Sequence, residues 1–117
     1  MLLSPRFIRP RKASSVRTSA QLERYLDACK NEWLRGRVQQ VFGELKQNCE
    51  LGDKVPKIYW PSYYRKELGI SNLYVTKLGP DWRLTYTLIA EGAGISAVCL
   101  EILTHKDYDN RFGYRTS

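Results

Sequence analysis

The spacing of apolar residues changes once along this chain, and that change confines it to a mixed helical and stranded architecture. From Leu22 to Cys49 the apolar side chains recur every three or four residues, whereas beyond Asn72 they alternate. The first spacing keeps one face of a helix apolar, and the second keeps one face of a half-buried strand apolar. With 117 residues, 43% of them apolar, the chain can form one compact core and is too short for two ordinary domains. The expected class is α+β, with N-terminal helices packed on one face of a twisted antiparallel sheet of three to four strands.

Thr18 and Gln21 stand at capping-box spacing and mark a helix start. Leu22, Tyr25, Leu26, Cys29 and Trp33 then form one stripe; Leu34, Val38, Val41, Phe42, Leu45 and Cys49 form a second, out of phase with the first across residues 31–36. Two helices or one bent helix fit, ending near Asn48 with Gly52 beyond. Strands are expected at 73–78, 83–90 and 95–104, joined by a turn at 79–81 and a loop at 91–94 short enough to make them antiparallel neighbours. Leu84, Tyr86 and Leu88 share one face of the middle strand, leaving Arg83, Thr85 and Thr87 on the other. Val98, Leu100 and Ile102 read as the core face of the last strand, leaving Cys99, Glu101, Leu103 and His105 opposite. If the helices cover the first face, Arg83, Glu101 and His105 are expected on an uncovered one.

Residues 1–18 read as a basic arm and 19–117 as the folded domain. Arg6, Arg9, Arg11, Lys12 and Arg17 have no acid among them, which leaves only +2 of the net +7 for the rest of the chain. A solvated tail, a contact for RNA or an acidic partner, and an organelle transit peptide all remain open for the arm, and Phe7 with Ile8 could add a short edge strand. No apolar run approaches the roughly 18 to 20 residues that cross a bilayer, so a soluble, cytoplasmic protein without membrane contact is expected. Cys29, Cys49 and Cys99 lack a C-x-x-C pair and have one histidine for company. They read as reduced structural thiols, with no metal and no cofactor expected.

Two regions carry chemistry. Between 54 and 66, Lys54, Lys57, Arg65 and Lys66 interleave with Tyr59, Trp60, Tyr63 and Tyr64. Bases stack on aromatic faces and phosphates pair with cations, so the segment suits RNA; the same aromatics would equally pack the loop onto the body. Pro56 and Pro61 prevent a continuous helix there, although Pro61 suits the first turn of a short one stopped by Gly69. The C-terminal third brings the single histidine, His105, together with Arg83, Glu101, Lys106 and Arg111. Cleavage of RNA through its 2′-hydroxyl needs a base, a cation on the phosphorane and an acid for the leaving oxygen. His105 can serve as acid or base, Arg83 can hold phosphate, and Glu101 can act as a base or orient the histidine. Against this, Arg83 and Glu101 could be a cross-strand ion pair, and Tyr108 and Phe112 could pin a C-terminal turn to the sheet.

Val55-Pro56-Lys57, Trp60-Pro61, Asn72-Leu73, Asp81-Trp82-Arg83-Leu84-Thr85-Tyr86, Leu100-Glu101-Ile102-Leu103, His105-Lys106-Asp107-Tyr108 and Arg111-Phe112-Gly113-Tyr114 together resemble the RelE/ParE superfamily of toxins, particularly RelE-like members from archaea. About half of the chain carries the resemblance. It implies the toxin of a type II toxin-antitoxin system, an endoribonuclease acting on messenger RNA, usually at the ribosome, without a metal. It also implies a cognate antitoxin, for which an acidic contact segment is expected; ParE-type members instead poison DNA gyrase, so a non-catalytic binding protein is the alternative. Carried over by position, the resemblance matches Arg83 to the family's strand arginine and His105 to its C-terminal histidine, with Tyr108, Phe112 and Tyr114 at aromatic positions; together with Glu101 from the strand reading, Arg83, His105 and Tyr108 form the expected catalytic set. Lys54, Lys57, Tyr59, Trp60, Arg65, Lys66, Lys77, Lys106, Arg111, Phe112 and Tyr114 would grip RNA. Family chains usually open directly on a strand, which the basic arm here displaces.

Overall fold

The computed structural model describes residues 11–113. Phe7, Ile8 and Tyr114 therefore lie outside the described residues, as do the arm residues before Arg11. The elements run β1 (Ser15–Thr18), α1 (Ala20–Ala28), α2 (Glu32–Gln47), β2 (Asp53–Lys54), a 3₁₀ turn (Lys57–Tyr59), α3 (Ser62–Lys66), β3 (Tyr74–Lys77), β4 (Trp82–Glu91), β5 (Gly94–Thr104) and α4 (His105–Phe112).

The two helical stripes become two helices, each opened by a side-chain cap. Ser19, not Thr18, caps α1: its hydroxyl oxygen accepts from the Leu22 N–H at 3.0 Å while Thr18 still belongs to β1. Asn31 caps α2 in the same way through Leu34 at 3.0 Å. At the end of α1 the Leu26 carbonyl accepts from the Cys29 N–H at 3.2 Å, and Arg35 of α2 donates to the carbonyls of Leu26 and Cys29. Leu34, Val38, Val41 and Leu45 of α2 are fully buried, each contributing about 1.5–3 kcal/mol of apolar burial. Trp33 departs from the expected stripe and is 57% exposed, lying against Gly79 of the β3–β4 turn.

The sheet has five strands in the order β1-β5-β4-β3-β2, and it is mixed. β1 runs parallel to β5, while the other neighbours are antiparallel. The expected count of three to four strands falls short for two reasons: β1 pairs only with a distant strand, and β2 is two residues long. β1 also draws Ser15–Thr18 out of the expected arm and into the sheet. Before β3 begins, the Asn72 carboxamide stands in for a strand backbone, accepting from the Leu88 N–H at 2.7 Å and donating to the Leu88 carbonyl at 2.8 Å.

One irregularity reorganises both faces. Thr85 of β4 pairs with Glu101 and Tyr86 with Cys99, so Leu100 is an extra residue in β5. This bulge changes the facing of the strand. Ala97, Cys99 and Ile102 join Leu84 and Tyr86 in the core beneath α1 and α2, contrary to the expected Val98, Leu100 and Ile102 face. Leu100 and Leu103 instead enter a second core with Val55, Trp60, Tyr64, Leu73, Tyr108 and Phe112, against which Val98 also packs. The face expected to be uncovered is therefore covered by residues 55–68 and by α4, and helical layers flank the sheet on both sides.

Candidate functional site

α4 exists because Thr104 ends β5 with a hydroxyl that accepts from the Asp107 N–H at 3.0 Å, and Gly113 closes the helix in the left-handed region at φ 70°. Tyr108 and Phe112, four residues apart, stack at 4.3 Å and anchor the helix in the second core. His105 is thus the first residue of a helix rather than the end of a strand. Its backbone N–H donates to the Asp81 carbonyl at 2.8 Å, which fixes the helix start against the β3–β4 turn.

That turn also holds Arg83. Its Nη1 donates to the carbonyls of Gly79 and Pro80, each at 3.3 Å, and of Trp82 at 3.0 Å. Its Nη2 lies 3.3 Å from His105 Nδ1. A guanidinium has only donors, so Nδ1 is the acceptor in this contact. On the opposite side of the ring, His105 Nε2 lies 2.8 Å from Asp109 Oδ2, one helical turn on. Arg83 is 9% exposed, and the His105 side chain is 41% exposed; the pair is reachable from solvent through the imidazole.

Two clefts meet at this cluster. One, of about 620 Å³, lies beside β2 and β3 and is lined by Arg83, Tyr108, Asp109, Lys54, Lys77, Arg37 and neighbouring residues. Its four cations face the carboxylates of Glu44, Asp53 and Asp109, so its charge balance is only mildly positive. The other, of about 460 Å³, is lined by His105, Lys106, Asp109, Asp81, Trp82, Thr104 and Asn110. Asp109 borders both.

Of the residues expected to act together, Arg83, His105, Tyr108, Lys54, Lys77 and Lys106 converge on these clefts. Glu101 does not. It is 9% exposed, accepts from Arg111 at 3.3 and 3.4 Å and from Gln21 at 3.2 Å, and is hydrogen-bonded by the Tyr64 hydroxyl. This is an ion pair with Arg111 rather than with Arg83, and both partners are committed to holding elements together. Trp60 is 7% exposed with its indole N–H on the Val55 carbonyl at 2.8 Å, and Phe112 is 1% exposed, so neither ring offers a face for a base. Tyr59, Lys57, Arg65 and Lys66 are exposed but belong to a different patch, where Arg65 donates to the Lys57 carbonyl at 2.9 Å. Burial raises the Tyr64 hydroxyl well above the ordinary tyrosine range, with the Glu101 carboxylate beside it adding to the shift.

Asp109 and Arg37 were not among the expected site residues. Asp109 becomes visible once residues 105–112 are read as a helix, because His105 and Asp109 then share a face. Arg37 has no local signal, since its place depends on how α2 lies beside β3. Among the described residues, no three His, Cys, Asp or Glu side chains are grouped so as to hold a metal ion, and no helix is long and apolar enough to cross a membrane. No family model, curated protein or solved structure matches the chain.

Proposed function

We propose that this protein is a RelE-like toxin, a cytoplasmic endoribonuclease that cuts messenger RNA at the ribosome and is held in check by an antitoxin with an acidic contact segment. The observation that carries this reading is the 3.3 Å contact between Arg83 and His105 where two clefts meet. Arg83 would hold the scissile phosphate, with Lys54 and Lys77 along the strand entering the larger cleft. His105 would take the proton of the 2′-hydroxyl. The 2′ oxygen then bonds to phosphorus, the bond from phosphorus to the 5′ oxygen breaks, and that oxygen takes a proton from water. The products are a 2′,3′-cyclic phosphate and a free 5′-hydroxyl. Glu101 and the rings of Trp60 and Phe112 have no part in this scheme.

A second reading, a non-catalytic binder such as a gyrase inhibitor, draws support from one observation: both ring nitrogens of His105 already have partners. Cleavage of messenger RNA by purified protein, alone and with ribosomes, separates the two. Arg83→Ala and His105→Ala should each lower cleavage by about 10²- to 10⁴-fold with the fold retained. A folded wild type that cuts no RNA in either assay would transfer the reading to the binder, whose inhibition of gyrase should then be insensitive to His105→Ala.

A further inference from the structure

We infer that Asp109 is a positioning residue for His105, holding the imidazole as the tautomer with its proton on Nε2 so that Nδ1 is the proton acceptor of the site; the catalytic part of this inference rests on the ribonuclease reading above. Arg83 cannot accept a hydrogen bond, so its contact at 3.3 Å requires a lone pair on Nδ1. The neutral ring then carries its proton on Nε2, where the Asp109 carboxylate waits at 2.8 Å to receive it. The two contacts specify the same tautomer from opposite sides of the ring. Asp109 can impose it because it is fixed itself: its side chain is 17% exposed, and it sits one helical turn from His105 on a helix anchored by Tyr108 and Phe112.

The arrangement also resolves how an occupied histidine can act. An RNA phosphate entering the larger cleft competes for the Arg83 guanidinium, and a charged phosphate is a stronger acceptor than an imidazole nitrogen. As Arg83 turns to the phosphate, Nδ1 loses its donor and is left with a lone pair beside the substrate. The 2′-hydroxyl proton passes to Nδ1, the 2′ oxygen attacks phosphorus, and the departing 5′ oxygen is protonated by water. Asp109 keeps the ring from rotating and stabilises the imidazolium that forms.

With one histidine in the chain, nitrogen-15 NMR of the imidazole reports this site alone. Wild type should show a single neutral tautomer with its proton on Nε2, and Arg83→Ala should keep it. Asp109→Ala should lose the hydrogen-bonded Nε2 proton signal, and Asp109→Asn, which retains a carbonyl acceptor, should restore it. A proton on Nδ1 in wild type, or an Nε2 signal indifferent to Asp109→Ala, would overturn the inference. In the cleavage assay Asp109→Ala should lower kcat by about tenfold or more with KM nearly unchanged. If wild type cuts no RNA, the ribonuclease reading falls while the NMR result still decides what orients His105.

Discussion

Glu101 of β5 receives both terminal nitrogens of Arg111 from α4, at 3.3 and 3.4 Å, and thereby ties the last helix to the centre of the sheet. Gln21 of α1 and Tyr64 of α3 bond to the same carboxylate, so one side chain joins four elements. Glu101→Ala should lower stability to urea by about 1–3 kcal/mol, because it removes the acceptor of the buried Tyr64 hydroxyl and the partner of Arg111. The loss stays below that of a fully buried pair since Arg111 is 37% exposed and can recover water. A change under about 1 kcal/mol would show that the network does not hold the second core.

Three glycines should respond oppositely to alanine. A Cβ at Gly52 would sit 2.4 Å from the Val75 carbonyl oxygen, which is backbone and cannot swing away, so Gly52→Ala should destabilise by about 1–3 kcal/mol. Gly36 and Gly43 lie inside α2 with nothing within 4 Å of the added carbon. Gly36→Ala and Gly43→Ala should each stabilise by about 0.5–1 kcal/mol. Thermal melts of the three variants give the comparison directly.

Stability should fall as the solution becomes alkaline. Burial pushes the Cys99 thiol from 9.0 up to about 12 and raises the Tyr64 and Tyr86 hydroxyls as well. The folded chain therefore keeps protons that the unfolded chain releases. The contribution of Cys99 is whole below pH 9.0 and is lost progressively toward pH 12. Urea midpoints should hold up to about pH 9.0 and decline from there to pH 11; a flat profile would place these groups in contact with water.

If RNA enters the larger cleft, Lys54 and Lys77 each neutralise a phosphate. Removing either should weaken RNA binding at low salt and flatten the salt dependence by about 0.7 in the logarithmic slope for single-stranded RNA. Lys66→Ala, on the separate exposed patch, should leave the slope unchanged. Equal effects from all three would describe diffuse attraction rather than a track to Arg83.

The first two helices and the strands β3, β4 and β5 are legible in local spacing because their apolar residues recur at the period of each element. What escaped was set by partners far away or by a local defect. Ser15–Thr18 has a single apolar residue, Val16, and becomes a strand only because β5 offers it an edge. Leu100 is an ordinary strand residue by composition, with neither glycine nor proline to announce a bulge, yet it decides which side Glu101 and Leu103 take. The pairing of Arg83 with His105 followed from their being read near adjacent strand ends, and β4 and β5 are indeed neighbours. The last helix also escaped the sequence reading, which ended a strand near His105, although Thr104, Asp107 and Gly113 carry ordinary helix start and stop signals.

The parallel pairing of β1 with β5 also sets a timetable for synthesis. Ser15 and Ser96, 81 positions apart, hydrogen-bond through their hydroxyls at 2.7 Å. A nascent chain can form α1 and α2 as they emerge, but β1 must wait for β5 to be translated before it can pair. The Arg83 and His105 cluster needs the same late residues, since α4 follows β5. On this topology the Arg83 and His105 cluster assembles only once β5 and α4 have emerged from the ribosome.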